Sequence, residues 1–233
     1  MRSTAINPQK DWFLSKVEIA DNLFSQYGFN GEADAEILLC CAASALASKM
    51  WPGEKIDRVR FTEFLIKFTG SNIDIQRISI PALAAKLKDK NRSAEANILL
   101  NNYLQNDNGQ VFICDAVDKS EDAILSLCPS IESKIIRDAS HVGIIYKDLR
   151  CGLVHEGRTS KLVFHDFPPS NTNVPYYANL LIEPNLPIEH PLCFPYHYIR
   201  DILVSVVENA FAYRETVNSW DTSEPVKWWI EGK

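Results

Sequence analysis

Apolar residues recur every three or four positions over most of this chain, the spacing of helices that bury one face and wet the other. Asn7-Pro8 offers an N-cap and a first-turn proline, and the segment behind it carries Trp12, Phe13, Val17, Ala20, Leu23, Phe24 and Tyr27 before Gly28 interrupts. The pattern predicts a first amphipathic helix with those residues buried. Ala33 to Met50 is nearly apolar throughout, which predicts a central helix covered by neighbours over most of its circumference. Trp51-Pro52-Gly53 breaks the chain, and Val59, Phe61, Phe64, Leu65 and Phe68 then return at helical spacing. Further helices are expected near Ile80 to Lys88 and Ser93 to Leu104, followed by a turn at Asn106-Asp107-Asn108-Gly109 and a short strand over Val111 to Cys114.

Behind Pro129-Ser130, one long stripe runs through Ile131, Ile135, Ala139, Val142, Tyr146, Leu149 and Leu153, which predicts a continuous helix ending at Gly157. The pattern then changes. Lys161 to His165 and Tyr176 to Ile182 read as strands on either side of the loop Pro168 to Pro175, a small β-hairpin. Pro191 to Pro195 leads into a last helix carrying Ile199, Ile202, Leu203, Val206, Ala210, Phe211 and Tyr213. The fold class is therefore all-α, a helical bundle with a small β-hairpin insertion, about 159–184, before the last helix. A single domain over 1–217 is expected, followed by a tail, 218–233, with three of the five tryptophans: Trp220, Trp228 and Trp229. The tail is expected to fold back on the bundle.

At 233 residues and 46% hydrophobic content the chain can bury one sizeable core. No apolar run approaches the roughly 18 residues of a membrane span, and Met1-Arg2-Ser3-Thr4 lacks the apolar centre of a signal peptide, so a cytoplasmic protein without membrane partners is expected. Six cysteines without a Cys-x2-Cys pair read as reduced, mostly buried thiols, neither a zinc site nor a disulfide frame. No metal or other cofactor is expected.

A net charge of −6 argues against broad polyanion affinity. Between Lys134 and Lys161, however, six basic residues face three acids. This basic stretch contains the most informative pairing in the chain, Arg150 and His155, with four residues between them at the end of the long helix. An arginine stays charged and holds phosphate by paired hydrogen bonds, while a histidine titrates near neutrality and moves a proton. Together they are the minimum parts for phosphodiester transesterification. A second pair of the same kind, Arg158 and His165, lies past the helix. On an ideal α-helix Arg150 and His155 stand about 140° apart, so they cannot both point the same way. A wrapped arginine, a last turn opened at Gly152 or Gly157, or a second protomer would each reconcile them.

Arg150 and His155 resemble the Arg-x4-6-His signature of the HEPN superfamily, helical proteins found in toxins, anti-phage systems and RNA-processing factors. The order of helices resembles that family over most of the chain. The resemblance implies a helical bundle of HEPN type and a metal-independent endoribonuclease in which two protomers pool their motifs in one cleft. It implies RNA as substrate, a homodimer, and an antitoxin or defence-system partner. Arg150 and His155 would be catalytic, and Lys147 and Arg158 would hold the RNA backbone. Two positions depart from the family pattern: Cys151 stands where a polar residue commonly follows the arginine, and Gly157 stands where one subgroup carries a modifiable tyrosine. The contrasting reading is a non-catalytic module for dimerisation or partner binding, since cations are favoured at helix C-termini in any case.

Overall fold

A computed structural model describes residues 7–53, 56–70, 73–104, 112–163, 173–178, 190–217, 225 and 227–229. The chain divides into two compact units, one of residues 1–73 with 199–226 and one of residues 74–198 with 227–233.

The first unit is helical. Helix α1 (Pro8–Tyr27) begins where the side chain of Asn7 accepts from the amides of Gln9 and Lys10, and it ends at Gly28. Helices α2 (Phe29–Met50) and α3 (Asp57–Phe68) follow. Phe13, Val17 and Ala20 face inward from α1, but Trp12 and Tyr27 do not, being 47% and 60% exposed. Trp12 is one residue and so about 100° away from the Phe13 stripe, and Tyr27 ends the helix. Helix α2 buries Leu39, Cys40, Ala43, Leu46 and Met50, while Asp34, Cys41, Ala45 and Lys49 form an exposed stripe. Glu36 is wholly buried on α2, and burial, with the charge of Glu32 adding, pushes its carboxyl well above the usual carboxylate range. The last helix, α10 (Tyr196–Val217), supplies the rest of this unit from Ile199 onward. Asn209 donates to the Phe68 carbonyl at 2.8 Å, Ser205 to the Thr69 carbonyl at 3.1 Å, and Arg200 to Asp21 at 2.7 Å.

The second unit holds α4 (Ile80–Asp89), α5 (Ser93–Tyr103), β1 (Phe112–Ile113), α6 (Cys114–Val117), α7 (Glu121–Leu127), α8 (Ser133–Arg137) and α9 (His141–Ile144). A π-helix (Ile145–Glu156) and strands β2 (Tyr176–Tyr177) and β3 (Leu192–Cys193) complete it. Apart from the short sheet the architecture is all-α. Strand β2 lies between β1 and β3, antiparallel to both, with Ile113 opposite Tyr176 and Tyr176 opposite Cys193. The small β element does precede the last helix, but its pairing differs from the expected hairpin. Lys161 and Leu162 form a turn, and Val163 makes only an isolated parallel bridge to Leu192. The turn at 106–109, residues 164–172 and 179–189 of the hairpin region, including His165, and most of the tail lie outside the described residues.

The continuous helix expected from Ile131 to Gly157 is instead three helical pieces. The backbone at 139–142 is drawn into pairing with another segment: Ser79 donates to the Ala139 carbonyl, His141 to that of Arg77 and Val142 to that of Ile75, each at 2.9 Å. Those bonds replace intrahelical ones, and Ser140 restarts the helix by accepting the Gly143 amide at its hydroxyl. From the tail, the backbone carbonyl of Trp228 accepts from Arg137, whose guanidinium stands 5.0 Å from the Trp228 ring centre. Arg137 also pairs with Glu121 at 2.8 Å, both side chains largely covered. No described helix is long and apolar enough to cross a membrane.

Candidate active site

Arg150 and His155 sit on the π-helix, whose hydrogen bonds run from each residue to the fifth before it. Widening the turn this way changes the angle between them. At about 4.4 residues per turn, five residues come back to within about 50° of the starting direction, where an α-helix would leave them about 140° apart. An ideal π-helix would thus set Arg150 and His155 nearer one face than an α-helix does. Runs of π-helix are rare and are mostly single turns, so the twelve residues here are long for the type.

Two glycines let the helix end this way. A Cβ on Gly152 would lie 2.6 Å from the Arg158 carbonyl oxygen, so only glycine admits the chain folding back over the helix. Gly157, at φ 66°, takes the left-handed cap and donates its amide to the Gly152 and Leu153 carbonyls. The returning segment is fixed by the Ser160 amide, which donates to the Asp148 carbonyl at 3.1 Å.

The side chains divide by exposure. His155 and Lys147 are exposed, Arg150 is half-buried, and Asp148 is buried. The Arg150 guanidinium stands 5.4 Å from the centre of the Tyr146 ring and donates to the Cys151 sulfur at 3.5 Å. Cys151 therefore touches the arginine, as a polar residue at that position would, although sulfur is the weaker acceptor. Arg158 is exposed beyond the helix, 3.8 Å from an equally exposed Glu156 carboxylate, a pairing that water and salt screen. The three described cavities are lined by other residues. Of the four sequence-predicted residues, Lys147, His155 and Arg158 are thus exposed, and Arg150 is held against Tyr146 and Cys151.

A second constellation escaped the sequence reading. Cys114, Asp118 and His141, all buried, bring one ligand atom each to within 4.8 Å of one another. The signal available was the Cys114-x3-Asp118 spacing, one helical turn; His141 is 2% exposed.

The chain was compared with protein-family models, curated proteins and solved structures. None matches.

Proposed function

We propose that this chain is a HEPN-like, metal-independent endoribonuclease acting in the cytoplasm as an effector of a toxin or anti-phage system. The observation that supports the reading is that Arg150 and an exposed His155 share a π-helix, whose ideal turn sets residues five apart about 50° from one another. His155 takes the proton of a ribose 2′-hydroxyl as that oxygen attacks the adjacent phosphorus. Arg150 neutralises the charge that builds on the non-bridging oxygens. The bond to the 5′-oxygen breaks and that oxygen is protonated, leaving a 2′,3′-cyclic phosphate on one product and a 5′-hydroxyl on the other. One histidine cannot be base and acid at once, so a homodimer supplies the second. RNA is preferred to DNA because the 2′-hydroxyl is itself the nucleophile. Lys147 and Arg158 hold the flanking phosphates, and an antitoxin or other partner restrains the activity.

One observation favours the contrasting role of a non-catalytic module: Arg150 is already engaged by Tyr146 and Cys151, as a structural arginine would be. Single-stranded RNA incubated with the purified chain, without added metal, separates the two. Cleavage with cyclic-phosphate ends, lost in His155→Ala and Arg150→Ala, is expected. Cleavage that survives His155→Ala, or none by a folded dimeric wild type on varied RNAs, overturns the proposal.

A further inference from the structure

The buried polar cluster of the second unit is built from two segments apart in sequence. Cys114 opens α6, Asp118 follows that helix by one residue, and His141 opens α9. Their exposures are 1%, 3% and 2%. The Asp118 carboxylate is held from several sides: one oxygen accepts the Tyr177 hydroxyl at 2.6 Å and the Ile80 amide at 3.3 Å, and the other lies 2.6 Å from His141 Nε2. The Tyr177 oxygen is also 2.7 Å from Ser79 Oγ. No lysine or arginine is bonded to Asp118 among the described residues.

The trio gathers a thiol, a carboxylate and an imidazole, all buried and with one ligand atom each within 4.8 Å of the others, the donor types of a mixed-ligand cation site. A divalent cation would deprotonate a coordinating thiol and neutralise the carboxylate. Thiolate, carboxylate and neutral imidazole around one dication also sum to zero charge, the condition for burial.

From these contacts we infer that Cys114 Sγ, an Asp118 carboxylate oxygen and a His141 ring nitrogen form a binding site for a borderline-soft divalent metal of the zinc class. Mixed sulfur, nitrogen and oxygen donors are characteristic of that class, whereas magnesium and calcium take oxygen. Asp118 Oδ2 and His141 Nε2 would part by less than about 1 Å to admit the ion at ordinary ligand distances of about 2.0–2.2 Å. Tyr177 and the Ile80 amide would orient the carboxylate as an outer shell. Cys193, buried on β3 and close enough for its charge to act on Cys114, stands beside the trio. The site is structural: it ties α6, α9 and the start of α4, and it takes no part in the chemistry assigned to Arg150 and His155.

The test reads metal, not RNA cleavage, so it stands or falls apart from the ribonuclease proposal. The full chain, purified without chelators from zinc-supplemented medium, is expected to hold about one equivalent of zinc. Cobalt(II) in its place should give a thiolate-to-cobalt charge-transfer band in the near ultraviolet. Cys114→Ser and His141→Gln should each weaken binding tenfold or more, while Cys41→Ser and Cys151→Ser should leave it unchanged. If Cys114→Ser fails to fold, the wild-type cobalt band and its persistence in the Cys41 and Cys151 variants still decide. A folded wild type with neither zinc nor the cobalt band has only a buried His141–Asp118 pair, and the inference fails. It fails equally if the band disappears with Cys41 or Cys151.

Discussion

Replacing Gly152 by alanine tests whether the close return of the chain fixes the π-helix. The new Cβ would meet the Arg158 carbonyl oxygen at 2.6 Å and the Thr159 Cα at 3.3 Å. Ordinary contact begins near 3.4 Å, so the carbonyl must withdraw by about 0.8 Å, and it is backbone, not the end of a flexible side chain. Overpacking of this kind costs about 1–3 kcal/mol. Alanine offsets about 0.5–1 kcal/mol of that through its better helix propensity. The expected net loss is about 1–2 kcal/mol, a drop in Tm of roughly 2–8 °C for a chain of this size. Urea unfolding of Gly152→Ala beside wild type measures it. Gly157→Ala is the control, because its Cβ meets nothing within 4 Å and its cost, about 1–2 kcal/mol, comes from the left-handed backbone alone. Displacing Arg158 also disturbs the end of the helix that carries Arg150 and His155, so RNA cleavage should fall in Gly152→Ala by more than stability explains. A Gly152→Ala protein as stable as wild type, or more so, would refute the reasoning.

Glu36 gives a pH prediction: its folded-state carboxyl titrates above its unfolded value, so the folded chain holds the proton longer. Stability from this group is therefore full at low pH and falls as pH rises from about 4.3 through the raised folded value. Glu36→Gln should flatten that slope in denaturation series from pH 5 to 8 and should not destabilise at pH 7; an unchanged slope contradicts the assignment. Arg137→Ala removes the pairing with Glu121 and the contact with Trp228. About 1–3 kcal/mol of stability should be lost, with a red shift in tryptophan emission as Trp228 meets water. Unshifted emission would mean the tail does not rest on Arg137.

Five helices at the start and the one at the end were legible because each states itself locally: Asn7 caps, Gly28 and Pro52 interrupt, and the apolar stripe repeats every turn. The stripe through Ile131 and Leu153 carried equal local conviction and misled. Nothing local says that Ala139 and His141 will exchange intrahelical bonds for bonds to Ser79 and Arg77, some sixty residues earlier. A π-helix is hidden for a related reason, since apolar periodicity reports which residues are buried and not which carbonyl each amide chooses. Arg150 and His155 could be paired by spacing alone, whereas Cys114 and His141, 27 positions apart, become neighbours only through tertiary structure. The same holds for Tyr176, whose expected neighbours were in its own hairpin and whose actual partners are Ile113 and Cys193.

The division of the chain has a consequence for how it is made. The first unit takes its helices α1 to α3 from residues before 74 and its remaining helix from residues 199 onward, so the ribosome must synthesise residues 74–198 of the second unit before the first is whole. Until then the carbonyls of Phe68 and Thr69 lack Asn209 and Ser205, and Asp21 lacks Arg200. Folding cannot proceed unit by unit from the amino end, as it does for domains strung in series. A nascent chain arrested before Ile199 leaves the apolar faces of three early helices uncovered, a substrate for chaperones. A stop codon within the stretch that encodes residues 199–217 strikes the unit that α1 to α3 begin.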